Sequence, residues 1–242
     1  MTPIITTSWD DGHPLDLRVA AVLTRHGLRG TFYVPLMPAA GRVVNRSQMR
    51  DLVDMGMEIG SHTVSHAVLT GLPAAEVDRE LLISRCRLED LLGMAVTSFC
   101  YPKGKFSSRI ARRAKLAGYR LCRTTVDFHT GAHFDPIRMP VSLHVFPHNS
   151  GAHYRHALRY RNWRGLWNWR GRLGGATDVE GLAAGMLNRI LKRGGIFHLW
   201  GHSWEIEERG LWPLLERLAA MLGGLREARH LTNTNVWQAA SH

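Results

Sequence analysis

Short apolar runs alternate with amphipathic segments from one end of this chain to the other. That alternation limits the folds open to it more than any other feature. "PIITTSW" reads as a buried strand. "HPLDLRVAAVLTRHG" after it reads as an amphipathic helix, with Pro14 in its first turn and Gly27 just past its end. "GTFYVP" is a strand, and "SQMRDLVDMG" a helix with Ser47 as N-cap and Gly56 beyond its end. "MEIGSH" is a third strand. "PAAEVDRELLISRCRLEDLLG" is a long helix, apolar at Val77, Leu81, Leu82, Leu88, Leu91 and Leu92. "SFCYP", "SSRIARRAKLAG" and "YRLCRT" continue as strand, helix and strand. After an irregular stretch come a helix near Val179–Lys192, the strand "GIFHLW", a helix near Leu211–Leu222 and the short strand "RHLTN". Such an order implies parallel strands joined by right-handed crossovers. No composition break or internal repeat divides it, so the expectation is one α/β domain, either a barrel or an open doubly wound sheet. In both, function gathers at the carboxyl ends of the strands.

A chain of 242 residues can bury a full core without disulfides or structural metals. Cys86, Cys100 and Cys122 are too few and too scattered for a disulfide framework, and are expected to be small buried hydrophobes. No apolar run approaches the ~20 residues that span a bilayer. "MTPIITTSWDDG" has no basic start, no long apolar stretch and no cleavage site, which predicts a cytoplasmic protein. No glycine-rich phosphate loop follows the first strand, which argues against a nucleotide cofactor. The formal net charge of +11 attracts anions: nucleic acid, anionic lipid headgroups or phosphorylated substrates.

The strand tips carry the chemistry. The first ends in "SWDDGH", with Asp10 and Asp11 side by side. By itself Asp-Gly is common turn chemistry. The third ends in "GSHTVSH", which places His62 and His66 four apart, a spacing that brings two imidazoles to one side of a helical turn. Two imidazoles and the Asp11 carboxylate make a catalytic zinc set with one coordination position left open. Asp10 is then the unligated neighbour, free to act as a base. Zinc is the default for two histidines and an aspartate, while cobalt, nickel or iron suit similar ligands.

"SWDDGH", "EIGSHTVSH", "FCYPKG" and "HSWE", in that order and spacing, resemble the polysaccharide deacetylase family, the NodB-like carbohydrate esterases of family 4. The resemblance runs from about Pro3 to Leu231, with a poor match between about Asp127 and Asp178. It implies a distorted (β/α)7 barrel and metal-dependent removal of an N-acetyl group from an amino sugar. It also implies roles: Asp11, His62 and His66 as metal ligands, Asp10 as general base, and the backbone N–H of Tyr101 facing the oxyanion. His202 takes the place of the general acid, favoured over His198, which lies inside its strand. Three departures stand out. Cys100 occupies the position where the family often has an arginine that orients the base. Ala67 follows His66 where proline is usual. No clear counterpart exists for the aspartate that tunes the acid histidine; Asp127, Glu205 and Asp135 are the options.

The least ordinary segment is a basic, aromatic insertion at about residues 150–176. Arg155, Arg159, Arg161, Arg164, Arg170 and Arg172 are interleaved there with Tyr154, Tyr160, Trp163, Trp167 and Trp169, and no acidic residue falls between Asp135 and Asp178. A solvated surface helix over buried tryptophans is one reading. Sugar stacking with phosphate binding through Arg161, Trp163 and Arg164 is another, and a peripheral membrane contact a third. Nucleic acid is the weakest. The expected substrate is an acylated amino sugar, anionic or lipid-linked. Deformylation or hydrolysis of another amide at the same site is an alternative. A carbohydrate- or lipid-binding protein without catalysis is the alternative of a different class.

Overall fold

The structure is a computed structural model that describes residues 2–39 and 41–240. Its elements follow one another as β1 (Ile4–Asp10), α1 (Asp16–Arg25), β2 (Gly30–Val34), α2 (Arg46–Asp54), β3 (Glu58–Ser61), α3 (Ala74–Leu92), β4 (Ser98–Cys100), α4 (Ser108–Leu116) and β5 (Leu121–Arg123). Then come β6 (Leu143–His144), α5 (Ser150–Tyr160), α6 (Trp163–Trp167), a π-helical turn (Asn168–Arg172), α7 (Val179–Arg193), β7 (Ile196–His202), α8 (Ser203–Glu208), α9 (Trp212–Gly223), β8 (Arg229–His230) and α10 (Asn233–Ala240). Seven strands run in the order β5-β4-β3-β2-β1-β7-β6, and β8 pairs with the start of β1. Every pairing is parallel. With helices packed around it, the sheet is the half-closed (β/α)7 barrel expected.

The two-residue strand β6 was not anticipated from sequence: it is too short to show any periodicity. The start of α2 also differs from expectation. Asn45, not Ser47, is the N-cap; its side chain accepts from the Gln48 N–H at 3.0 Å, and Gln48 answers to the Asn45 N–H at 3.0 Å. That reciprocal pair satisfies two otherwise unpaired donors and fixes the helix start two residues earlier. Cys100 and Cys122 are buried as expected, but Cys86 lies on the outer face of α3 and is exposed.

β1 is buried along all seven residues, because it sits mid-sheet with helices on its outer face. Its register brings Asp10 level with His202 on β7. β4 and β5 bring Cys100 level with Arg123. All parallel strands point the same way, so their carboxyl ends, and the polar residues on them, share one end of the sheet. Behind that end the sheet is dry. Trp9, Phe32, Phe197 and Leu199 are fully buried in one core that continues through α1, α7 and α9.

One close approach is set by glycine. A Cβ on Gly60 of β3 would meet the Tyr33 ring at 2.5 Å. That ring cannot swing away easily: its hydroxyl sits 2.8 Å from Ser98 Oγ and accepts from Asn233 Nδ2 at 2.9 Å. Gly60→Ala is therefore expected to destabilise by about 1–3 kcal/mol, the usual cost of overpacking. The check is a urea titration, in which the midpoint should fall with the slope unchanged.

Candidate active site

Asp11 and Gly12 both adopt left-handed backbone, at φ 76° and 58°. Aspartate tolerates that region better than most side chains, and at Gly12 a Cβ would press on Val34 at 3.0 Å. The Asp-Gly pair is thus a turn, as its chemistry suggests, and the same turn serves the site. It lets two consecutive carboxylates diverge from one strand tip.

Asp11 is buried, and its two oxygens have different surroundings. Oδ2 accepts from the Trp204 indole N–H at 2.9 Å. Oδ1 has no hydrogen-bond partner. It faces His66 Nε2 at 3.3 Å and His62 Nε2 at 3.7 Å. His62 Nδ1 lies 2.8 Å from the Cys100 carbonyl, which fixes the tautomer with the proton on Nδ1 and the lone pair on Nε2. Burial lowers the His62 pKa to about 4, despite the opposing pull of Asp10, and lowers that of His66 as well. Both rings are therefore neutral near pH 7, the form that binds metals. Ligands at about 2.0–2.1 Å in a tetrahedron lie about 3.4 Å apart, and the three donor atoms here all fall within 4.8 Å of one another. An orphaned carboxylate oxygen, two neutral imidazoles and this spacing fit a divalent cation.

His62 and His66 do not converge through a helical turn, as their spacing suggested. Residues 62–66 form an irregular loop, with Thr63 and His66 left-handed at φ 70° and 56°. Glu80 of α3 pins it, accepting from the Val64 N–H at 2.8 Å, the Ser65 N–H at 3.1 Å and the Ser65 hydroxyl at 2.8 Å.

Asp10 is held differently from its neighbour. Its Oδ1 accepts from Arg123, and its Oδ2 from the Cys100 thiol at 3.7 Å. Arg123 is wholly buried and reaches across the barrel from β5. Its guanidinium lies 5.3 Å from the Tyr33 ring centre and 4.9 Å from that of Trp200, so aromatic faces share its charge. Burial pushes the Asp10 carboxyl up, but Arg123, with His62 and His202, outweighs it and holds the pKa at about 2. Arg123 thus holds Asp10 in place of the arginine that the family often carries at the Cys100 position. Its sequence signal was faint: one cation at the tip of a buried strand. Asp10, His62 and Cys100 also cluster. Burial raises the Cys100 thiol well above its usual value, helped by the nearby carboxylates and against the pull of Arg123, and its S–H points to Asp10 Oδ2.

Opposite stands His202, whose Nε2 is 4.0 Å from Asp11 Oδ2 and whose Nδ1 is 3.2 Å from Glu205 Oε2. Burial works against its charge, but the bond to Glu205 and the charges of Asp10 and Asp11 prevail and raise its pKa. Glu205 also lies 3.3 Å from His144 Nε2. Burial opposes its ionisation, yet the bonds to His144 and His202 hold it below the usual carboxylate range. Of the three carboxylates considered for tuning His202, Glu205 alone touches it. Asp127 pairs with His156 at 3.1 Å, and Asp135 accepts from the Ile137 N–H at 3.1 Å. His198 lies inside the barrel, 2.8 Å from Ser8 Oγ.

These groups line one wall of a cavity of about 860 Å³. Helix α5 of the basic segment forms another, through Arg155, His156, Arg159 and Tyr160. Arg161, Trp163 and Arg164, the side chains expected at the substrate, do not line this cavity, whereas Arg155 and Arg159, i,i+4 on α5, do. All five are exposed: the two α5 arginines stand at the rim of the cavity, Arg161 ends the helix in a left-handed turn, and Trp163 and Arg164 follow it. Tyr101 also differs from expectation: its N–H donates to the Arg123 carbonyl at 3.3 Å, its hydroxyl to the Ile137 carbonyl at 2.9 Å, and it is buried outside the cavity. The pairing of β4 with β5 consumes the donor. Lys103, two residues on, is on the cavity wall.

Removing Arg123 should strand a buried carboxylate. Arg123→Met is expected to cost about 3–5 kcal/mol of stability, as for other broken buried pairs. Adding Asp10→Asn should recover part of that loss. Denaturant unfolding of both single variants and the double variant measures the coupling.

The family model described as polysaccharide deacetylase matches residues 2–122, half of the chain. A relative in Bacillus subtilis, YxkH, is 25% identical over 124 residues, 50% of this chain and 44% of its own. The chain spans less than half the length of the curated relatives it matches. A Mycobacterium smegmatis structure described as a polysaccharide deacetylase superposes over 100% of this chain and 91% of its own, with a TM-score of 0.69 at 15% identity. A family 4 acetyl xylan esterase from Clostridium thermocellum, in complex with a cobalt ion, covers 98% and 91%, with a TM-score of 0.61 at 16% identity. At these identities the two structures speak for the fold. The family match takes in the strand tips bearing Asp10, Asp11, His62 and His66 and stops one residue short of Arg123; on it, this chain belongs to the polysaccharide deacetylase family.

Proposed function

We propose that this protein is a divalent-cation-dependent carbohydrate deacetylase that hydrolyses an N-acetyl group from an amino sugar. One observation carries the reading: of two adjacent aspartates, Asp11 offers a free oxygen to two neutral imidazoles, while Asp10 is held ionised by Arg123 and stays out of that set. A structural turn needs no such division. Asp11, His62 and His66 would hold the cation, zinc by default, with cobalt, nickel or iron suited to the same ligands. When bound, the cation supplies Lewis acidity to the amide carbonyl and to the attacking water.

The chain's own residues supply the proton transfers. Asp10 takes a proton from the water as its oxygen bonds to the acetyl carbon. His202, protonated by virtue of Glu205, donates from Nε2 to the amide nitrogen as the C–N bond breaks. Acetate and a free amine result. General acid–base assistance of this kind is worth about 10²–10⁴-fold for each group. Lys103, on the wall beside His66, places positive charge near the developing oxyanion. Arg155 and Arg159 favour a substrate carrying phosphate or another anion, whether lipid- or nucleotide-linked.

Three variants separate the roles. Asp11→Ala should lose the cation, seen by elemental analysis of the purified protein. Asp10→Asn should keep it and lose acetate release by at least about 10²-fold. Glu205→Gln should also keep it, with kcat reduced and KM little changed. Wild-type turnover in Asp10→Asn would overturn the mechanism, and ligand binding without acetate release across acetylated sugars would favour a binding protein.

A further inference from the structure

The cavity accounts for α5, but not for the rest of the basic, aromatic segment. Trp163 and Trp167 are i,i+4 on α6, and so share one face of it. They are 58% and 56% exposed, although Gly165 between them is buried and Trp169 just after is buried in the core. The Arg172 guanidinium lies 4.1 Å from the Trp167 ring centre. Arg172 in turn lines a second cavity, of about 320 Å³, together with Arg189, Lys192 and Arg193 of α7. No acidic residue lines it. Among the described residues none of these four cations lies within ion-pair distance of a carboxylate. Arg189 feels both burial and the charge of Arg172, Arg193 and Arg164, which together lower its pKa.

From this juxtaposition we infer that α6, the π-helical turn and the end of α7 form a docking surface for an anionic lipid bilayer. Cations without a carboxylate partner would meet lipid phosphates, and Trp163 and Trp167 would enter the interface between headgroups and acyl chains. Charge complementarity selects this occupant. A second copy would bring the same cations against themselves on a chain of net charge +11. Nucleic acid would match the charge but leave the exposed tryptophan pair without purpose on a helix that has no groove-reading module. The surface is also continuous with the active site. Phe128 lines both cavities, and α5, whose Arg155 and Arg159 stand at the rim of the first, runs directly into α6. A lipid-linked sugar phosphate held in the bilayer would lie beside the cavity that receives it. The surface itself does not depend on the deacetylase reading.

Full-length protein is mixed with vesicles of phosphatidylcholine alone and of phosphatidylcholine with phosphatidylglycerol, then sedimented. Binding is expected to the anionic vesicles only and to weaken at 1 M salt, where screening reaches about 3 Å. Trp163→Ala with Trp167→Ala, and separately Arg172→Glu with Arg189→Glu, should each lower partitioning by about tenfold or more. The charge-reversed pair carries the test if the tryptophan variant fails to fold. Equal binding to neutral vesicles, no binding to either, or binding indifferent to both double variants would overturn the inference. So would self-association abolished by the same substitutions without vesicle binding, or competition by polyglutamate that is indifferent to the tryptophans. Acetate release from a water-soluble acetylated oligosaccharide should be the same in wild type and both double variants. A failure of docking and a failure of the enzymatic reading are thereby told apart.

Discussion

The buried contact between Arg123 and Asp10 decides what every other polar group in the barrel can do. Two adjacent carboxylates at one strand tip repel each other, and burial penalises both. Arg123 removes the conflict for Asp10 by neutralising it from across the lumen, with Tyr33 and Trp200 on either side of the guanidinium. Asp11 is then the lone uncompensated anion at the tip, and its free oxygen turns to His62 and His66. A buried ion pair is weak evidence for stability, since apolar residues of similar volume often do as well or better. Its retention in the middle of an otherwise apolar barrel is better explained by the division of labour it enforces.

The fold was legible because parallel α/β architecture writes itself along the chain. Apolar runs mark the strands, and amphipathic periods and glycines mark the helices and their ends. The strand tips were legible for the same reason: Asp10, Asp11, His62, His66 and His202 each follow a recognisable strand. What could not be read was anything set by register or by crossing the barrel. Arg123 on β5 is separated from β1 by three intervening strands along the sheet order and reaches Asp10 only because the sheet curves. Tyr101 was assigned a free N–H that the β4–β5 pairing uses. The helical reading of "HTVSH" failed because Glu80, fifteen or more residues away, supplies the hydrogen bonds that a helix would otherwise have made internally.

In the basic segment, composition marked one stretch but not which of its side chains meet the cavity. Arginines and tryptophans at every second or third position cannot all face one way on a helix of period 3.6. The fold sorts them. Arg155 and Arg159 stand exposed at the rim of the cavity, Trp169 is buried, and Trp163 and Trp167 are exposed away from it. A stretch that reads as one patch in sequence is two surfaces in space, one bordering the cavity and one apart from it. Phe128 stands between them.

The charges at the strand tips offset one another in pairs. Asp10 is balanced by Arg123, and Glu205 faces His202, whose pKa it helps to raise. Burial keeps His62, His66 and His144 neutral. At the strand tips that leaves Asp11 beside two uncharged nitrogen donors, while Lys103, Arg155 and Arg159 line the wider cavity. With a divalent cation held there, the pocket would carry a net positive charge at the point where a tetrahedral intermediate develops its oxyanion. Were His62 or His66 charged, or Asp10 unpaired, that sign would change or the donors would be lost. In a protein of net charge +11 it is burial that keeps these imidazoles in the uncharged form a cation requires.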